Sequence, residues 1–145
     1  MAKDYMEGVK MLSNMRLCSN VPAQSIVQTA LGGHQSVMDY VVPGGRIYEQ
    51  REYIYKALTD IPGISAVKPK AAFYIFPKID VKKFNIADDE KFALDLLRDK
   101  KILLIHGGGF NWHQPDHFRV VYLPRIEVLK ESMKKIGDFF SYYHQ

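Results

Sequence analysis

Residues 102–124 read ILLIHGGGFNWHQPDHFRVVYLP, and this stretch decides the fold class. It opens with a wholly apolar run, residues 102–105, and closes with residues 117–123, where apolar side chains alternate along the chain. Short apolar runs and a two-residue alternation are typical of β-strands. The three glycines from Gly107 to Gly109 lie between these segments and indicate a tight turn. The stretch therefore predicts two strands of a small sheet.

Helical periodicity lies on both sides of this sheet. After residue 124, apolar side chains recur at intervals of three and four residues, which is the pattern of an amphipathic helix. These side chains are Ile126, Leu129, Met133, Ile136, Phe140 and Tyr143. Upstream, the same spacing predicts a long helix over residues 47–61, and acidic residues 88–90 open another helix at its positive end. Residues 64–67 and 71–76 have the short, β-prone pattern of two further strands.

Two helices are also predicted near the start of the chain. The first covers residues 6–17, although its apolar face is poorly defined. The second covers residues 23–31, with Asn20 as its cap and Pro22 in the first turn, where a missing N–H costs nothing. This order of elements predicts an α/β fold: a two-layer small domain with a short mixed or antiparallel sheet and helices packed on one face.

The composition argues against several classes of protein. The 145 residues suit one domain, with 47% hydrophobic and 25% charged residues as in an ordinary globular chain. No apolar run approaches the ~18 residues of a membrane span, and the first residues lack the pattern of a signal peptide. Cys18 is the only cysteine, which excludes an internal disulfide and favours a cytoplasmic location. The net charge of +4 comes from scattered cations, which favours a solvated surface over a nucleic-acid-binding stripe.

Motifs that carry chemistry are weak in this sequence. The five histidines have no metal-ligand spacing, so we expect no metal site. Residues 107–109 do not match GxGxxG or a P-loop, and a turn that brings backbone close to another group explains them. Arg119 lies in mid-strand, where an arginine is usually exposed to solvent. If it points into a cleft instead, its planar fork of donors suits a carboxylate.

Four segments of the chain resemble the C-terminal part of class I aminotransferases, specifically the alanine (glutamate–pyruvate) aminotransferase group. They are MRLCSNVPAQSIVQTALGG, PGGRIYEQR, IPGISAVKPKAAFYIFPKID and FNWHQPDHFRVVYLPR, in the order and at the spacing of the family. The resemblance extends from about Tyr5 to Gln145. It implies that residues 1–20 are a helical arm or linker from a large domain absent here, and that residues 21–145 are the small domain.

The resemblance also assigns roles to individual residues. Arg119 corresponds to the arginine that binds the substrate α-carboxylate, a group that every amino acid and every 2-oxo acid carries. Gly107 and Phe110 resemble the loop at the mouth of the substrate pocket, although a turn and a core phenylalanine explain them too. Ser19 and Asn20 resemble a segment that approaches the neighbouring subunit's active site, although helix capping also explains Asn20.

The implied activity is transfer of an amino group between an amino acid, alanine or glutamate, and a 2-oxo acid through pyridoxal phosphate in a homodimer. The family's Schiff-base lysine, in a Ser-x-x-Lys motif, has no counterpart here. We therefore expect a piece of a longer enzyme, with no catalytic residue, no stable cofactor binding and no activity of its own. We expect neither a nucleic-acid nor a membrane partner. The alternative is a stand-alone, non-catalytic small-molecule-binding or regulatory module of the same fold, with a nucleic-acid-binding module as a distant third.

The chain departs from the family at a few positions near the implied substrate pocket. Ala71 stands where the family usually has glycine, and His106 and Gly108–Gly109 differ from its commoner small-residue loop. Because alanine restricts the backbone more than glycine does, we expect a different local approach to the substrate. These departures bear on the substrate more than on the fold.

Overall fold

The computed structural model describes residues 2–17, 20–32 and 36–145 of the chain. The chain divides into two compact units, Met1–Met38 and Asp39–Gln145. Among the described residues, the first unit is largely helical and the second contains the strands. The domain boundary near residue 20 stays a prediction.

The first unit contains two helices, α1 (Ala2–Met15) and α2 (Val21–Leu31). Asn20 caps α2, because its side-chain Oδ1 accepts a hydrogen bond of 2.9 Å from the backbone N–H of Ala23. The cap predicted from the sequence is therefore confirmed. α1 begins earlier than predicted, and Asp4 in its first turn suits the positive end of the helix. No described residue of α1 is buried, which agrees with its poorly defined apolar face.

Within residues 39–145, all of which are described, there are four α-helices and five short strands. The helices are α3 (Arg46–Thr59), α4 (Val81–Phe84), α5 (Asp89–Lys100) and α6 (Ile126–Phe140). The strands are β1 (Ile64–Ser65), β2 (Tyr74–Ile75), β3 (Lys78–Ile79), β4 (Ile105–His106) and β5 (Phe118–Val121). Short 3₁₀ helices cover Ser36–Tyr40 and Gly107–Phe110.

The strands of the second unit form a three-stranded and a two-stranded sheet. In the larger sheet β5 is central, with β2 along one edge and β4 along the other. The register pairs Tyr74 with Val121, and Ile105 with Arg119. The smaller sheet pairs β1 with β3. All three strand pairs are antiparallel. Of the two sheet types predicted from the sequence, mixed or antiparallel, the antiparallel one is therefore observed.

One face of the larger sheet packs against helices and forms the core. Phe118 and Tyr122 are fully buried on this face. The ring of Phe92 from α5 contacts those of Phe118 and of Phe140 from α6, with centroid distances of 5.6 and 5.5 Å, and these two rings are 6.3 Å apart. Contacts of this kind add about 1 kcal/mol each to the burial of the rings. Since α3 and α5 both pack on α6, the two-layer α/β fold predicted from the sequence is confirmed.

The strands are shorter than the sequence predicted, and the strand predicted over residues 102–105 is displaced towards Ile105–His106. Residues 102–104 lie outside the ladder, because β4 contains only Ile105–His106. A cleft of about 240 Å³ lies beside this unpaired segment and is lined by residues 102–104 and by Val120–Val121 of β5, among others. Leu104 is nevertheless buried, so its apolar character reports the core and not a strand pairing. The sequence analysis also left β3 and α4 unassigned.

The backbone near residue 71 is strained at a different position from the one expected. Ala72, and not Ala71, adopts the left-handed conformation, with φ at 59°. This conformation costs a residue with a side chain about 1–2 kcal/mol. Two hydrogen bonds hold the turn: the Tyr122 hydroxyl donates to the Ala72 carbonyl at 3.0 Å, and the Tyr122 N–H donates to the Phe73 carbonyl at 3.1 Å.

Candidate functional site

Arg119 lies on the face of the larger sheet that points away from the core. Side chains alternate along a strand, so Arg119 points opposite to the buried Phe118. Directly paired residues of an antiparallel ladder share a face, which places Ile105 on the same side as Arg119. By the same rule Val121 and its partner Tyr74 lie there too. The guanidinium therefore belongs to a partly exposed, largely apolar face.

Two aromatic rings hold the guanidinium group of Arg119. Its Cζ atom lies 4.2 Å from the ring centroid of Phe110 and 4.6 Å from that of Tyr74. Distances within about 6 Å are those of cation–π contacts. We call Tyr74 and Phe110 the aromatic clamp. Because rings contact a guanidinium through its planar faces, the clamp leaves the N–H edges of Arg119 available.

Arg119 has no carboxylate partner within the described part of the chain. None of the ion pairs there involves it, and its buried Nε has no hydrogen-bond partner among those residues. The residues that share its face of the sheet, Ile105 and Val121, and the two rings that contact it are uncharged. An arginine with unused donors beside apolar walls suits an anion, since it binds a carboxylate through two parallel N–H···O bonds.

The turn after β4 carries Phe110 to the guanidinium. The Gly107 N–H donates to the His117 carbonyl at 2.8 Å, which ties the start of the turn to the strand before Arg119. A Cβ atom at Gly107 would lie only 2.9 Å from that same oxygen, so the close approach requires glycine. Asn111 closes the turn in the left-handed conformation. Of the two loop residues predicted from the resemblance, Gly107 thus shapes the turn and Phe110 contacts Arg119.

Asp116 is a buried carboxylate that neighbouring side chains connect to the aromatic clamp. Asp116 Oδ1 accepts hydrogen bonds from Trp112 Nε1 at 2.8 Å and from His117 Nδ1 at 2.6 Å. Burial alone would raise the pKa of the Asp116 carboxyl, but these two bonds outweigh it and hold the pKa below its usual value. His117 stacks on Phe76 at 4.8 Å between centroids, and Phe76 meets Phe110 edge-on at 6.3 Å. A chain of contacts therefore connects Asp116 to the clamp.

The remaining residues singled out from the sequence do not enter this cluster. Ser19 lies outside the described residues. Asn20 belongs to the first compact unit, where it caps α2. Five residues of the cluster were not singled out as site residues from the sequence: Tyr74, Phe76, Trp112, Asp116 and His117. The two-residue alternation of residues 71–76 was the available signal for Tyr74, but it needed the register with β5.

A family model for aminotransferase class I and II matches residues 3–136 of the chain. The chain belongs to this aminotransferase family. It is 59% identical to the glutamate-pyruvate aminotransferase AlaA of Haemophilus influenzae, over 99% of the chain and 36% of that protein. The chain is also similar to an aminotransferase from Escherichia coli with a known crystal structure. The two are 56% identical in sequence with a TM-score of 0.80, over 99% of this chain and 36% of that one. For an alanine aminotransferase from Pyrococcus furiosus the identity is 41% and the TM-score 0.67, over 97% and 35%. The chain thus spans 36% of the length of the first two relatives.

The lysines of this chain do not fit the cofactor that class I and II aminotransferases use, pyridoxal phosphate. Every lysine lies in the described residues, and none is buried. Lys78, one of the two lysines that lie four residues from Tyr74 of the aromatic clamp, is paired with Asp116 at 3.4 Å, and its side chain is 59% exposed. A lysine that holds this cofactor needs an enclosed site from which water is excluded. We therefore derive no chemical step through the cofactor from these residues.

The described residues contain neither a membrane-spanning helix nor a cluster of metal ligands. None of their helices is both long enough and apolar enough to cross a bilayer. Their histidine, cysteine, aspartate and glutamate side chains also form no group of three or more that could hold a metal ion. Arg119 and its aromatic clamp are accordingly the candidate site that we pursue.

Proposed function

We propose that this chain is the C-terminal small domain of a pyridoxal-phosphate-dependent aminotransferase, and that Arg119 binds the α-carboxylate of its substrates. The proposed enzyme transfers an amino group between an amino acid, alanine or glutamate, and a 2-oxo acid. The observation that carries the proposal is the guanidinium of Arg119, held between Tyr74 and Phe110 with no carboxylate partner in the described residues. In this proposal residues 1–20 are an arm or linker and residues 21–145 the small domain.

The chemistry of the substrates supports this role for Arg119. A carboxylate beside the reacting carbon is common to all amino acids and 2-oxo acids. An arginine stays charged at every physiological pH and presents its donors as a planar fork, so it binds both partners in one orientation. Fixing that orientation places the α-carbon for chemistry that other residues perform. The apolar surroundings strengthen the ion pair, because they lower the local dielectric constant.

The rest of the proposed enzyme lies outside this chain. Relatives at 59% and 56% identity are named glutamate-pyruvate aminotransferases, and the chain spans 36% of their length. We assign the cofactor, its lysine and the remaining binding groups to the large domain of a cytoplasmic homodimer. Gly107 and Phe110 form a wall of the substrate pocket, and Ser19 and Asn20 approach the active site of the neighbouring subunit. The small domain closes over the substrate and excludes water.

The proposal is tested by the substitution Arg119→Leu in the full-length protein. We expect kcat/KM for alanine to fall by about 100-fold or more, since losing a desolvated bidentate ion contact costs about 3 kcal/mol. The matched control is Arg125→Leu, the same exchange at an exposed arginine before α6, which should leave kcat/KM within about twofold. An unchanged kcat/KM in Arg119→Leu would reject the assignment of Arg119.

The competing hypothesis is a non-catalytic binding or regulatory module of the same fold. A reading frame that continues upstream into a Ser-x-x-Lys motif supports the enzyme, and a natural start at residue 1 supports the module. We also expect the 145-residue chain by itself to show no transaminase activity. After incubation with pyridoxal phosphate and reduction with borohydride, none of its lysines should be labelled specifically. Stoichiometric labelling of a single lysine would contradict the assignment of the cofactor to the large domain.

A further inference from the structure

Tyr74 contacts Arg119 from the strand edge opposite to the one that carries Phe110. Tyr74 lies on β2, whereas Phe110 lies in the turn that follows β4. Because β2 and β4 flank β5 on opposite edges, the guanidinium is held by one ring from each side of its own strand. Tyr74 is 39% exposed and Phe110 is 42% exposed, so neither residue is needed to fill the core.

The backbone that carries Tyr74 is fixed by a buried side chain. Tyr122, which is fully buried, donates hydrogen bonds to the carbonyls of Ala72 and Phe73 at 3.0 and 3.1 Å. Ala72 adopts a left-handed conformation that a residue with a side chain rarely adopts. Strain of this kind persists only where the surrounding structure holds it in place. The position of the Tyr74 ring therefore depends on the buried Tyr122, which fixes the backbone at Ala72 and Phe73, just before Tyr74.

We propose that Tyr74 is a positioning residue of the carboxylate site: together with Phe110 it holds the Arg119 guanidinium in the orientation that pairs with a carboxylate. This inference rests on the proposed function of Arg119. An unrestrained arginine samples many rotamers and loses that freedom when a ligand binds. The clamp removes part of this freedom in advance and still leaves the N–H edges for the ligand. Tyr74 itself acts through Arg119 and exchanges no proton with the substrate.

The test compares two substitutions of Tyr74 in the full-length protein. Tyr74→Met removes the ring but keeps an unbranched apolar side chain, and Tyr74→Phe removes only the hydroxyl. The probe is propionate, which is alanine without its amino group, so its inhibition constant reports carboxylate binding. We expect this constant and the KM for alanine to rise about tenfold in Tyr74→Met, with a smaller change in kcat. Both should stay within about twofold in Tyr74→Phe.

A double substitution separates positioning from general packing. Lysine has no planar face to stack on a ring, so in the Arg119→Lys background Tyr74→Met should change the inhibition constant by less than about twofold. An unchanged constant in Tyr74→Met alone would overturn the inference, as would an equal tenfold rise in the Arg119→Lys background. An unchanged constant in Arg119→Leu, which removes the charge, would overturn the proposed function of Arg119 itself, so the two failures are distinguishable.

A measurement on the unaltered chain covers the case in which Tyr74→Met does not fold. Protons above the face of an aromatic ring move upfield in an NMR spectrum. The side-chain protons of Arg119, which lies between two rings, should be shifted upfield relative to those of the exposed Arg125. Coinciding shifts for the two arginines would show that the clamp does not form in solution and would overturn the inference.

Discussion

Replacing Asp116 with asparagine tests whether a buried charge stabilises the turn and strand around the aromatic clamp. Asp116 is the one charged residue that the described part of the chain buries, with 9% of its surface exposed. Its carboxylate accepts hydrogen bonds from Trp112 and His117 and lies 3.4 Å from Lys78 Nζ. Asparagine has nearly the same shape but carries no charge and offers one acceptor oxygen instead of two. The Asp116→Asn variant therefore removes the electrostatic contribution and leaves the packing unchanged.

The expected loss can be worked out from these contacts. Both hydrogen bonds go to Oδ1, so asparagine can keep both, but at neutral strength, and it loses the contact of Oδ2 with Lys78. A hydrogen bond to a charged group contributes about 1.5–3 kcal/mol and a neutral one about 0.5–1.5 kcal/mol, so we expect a loss of about 2 kcal/mol at pH 7. Burial raises the pKa of Asp116, but its interactions with Trp112, His117 and Lys78 together lower the pKa by more than burial raises it. The folded pKa therefore lies below the unfolded value of about 3.9. A depressed pKa stabilises the folded state above about pH 4 and ceases to do so as the pH falls through the folded pKa.

The assay is urea unfolding of the 145-residue chain, followed by the fluorescence of its single tryptophan. We expect the unfolding free energies of the unaltered chain and Asp116→Asn to differ by about 2 kcal/mol at pH 7, and we expect the difference to shrink once the pH falls below about 4 and towards the folded pKa of Asp116. The control Asp138→Asn changes an exposed carboxylate on α6 and should cost less than about 0.5 kcal/mol at either pH. A difference for Asp116→Asn that is the same at pH 7 and at low pH would refute the electrostatic reasoning.

Two further substitutions test packing and capping by the same urea assay. Gly107→Ala should cost about 1–3 kcal/mol of unfolding free energy, because its Cβ would lie 2.9 Å from the His117 carbonyl oxygen. The control Gly137→Ala should not destabilise the chain, because a Cβ there meets nothing within 4 Å. Equal effects of the two substitutions would contradict the steric argument. Gln145→Ala should cost about 1 kcal/mol, since the Gln145 side chain accepts from the backbone N–H groups of Ala87 and Asp88 at the start of α5. A loss no larger than that of His144→Ala would show that water replaces these bonds.

Helices could be predicted from the sequence because their apolar faces pack directly on the core. Leu129, Met133, Ile136 and Phe140 recur at intervals of three and four, and all four are buried in α6. Phe139 is buried as well, although the spacing did not include it. α6 packs against both α3 and α5, so it buries a wider stripe than one face. Periodicity reveals the centre of such a stripe, and the number of neighbouring helices determines its width.

Strand ends could not be predicted as well, because a ladder depends on a partner that is distant in sequence. Residues 102–104 are as apolar as a buried strand should be, and Leu104 is buried, yet the segment packs without pairing to β5. β3 shows the opposite case, since Lys78 and Ile79 form a strand through pairing with β1 and have no apolar run of their own. The local sequence indicates which residues are buried, whereas the hydrogen-bond pairing of strands depends on tertiary packing.

The candidate site divides in the same way. Alternation in β5 predicts that Arg119 points opposite to Phe118, but it does not say which face the helices cover. The residue type alone made Arg119 a possible carboxylate site, and the family resemblance turned it into the first candidate. Tyr74 could not be found from its own segment, because its place depends on the register of β2 against β5.

That register is set by burial. A slip of one residue would turn every side chain of β2 to the other face. Ile75 is 1% exposed, and a slip would bring it out of the core and point Tyr74 inward. The apolar character of Ile75 therefore determines that Tyr74 reaches the guanidinium of Arg119. A polar substitution at Ile75 would accordingly weaken the core and the aromatic clamp together, although Ile75 points to the opposite face of β2 from Tyr74.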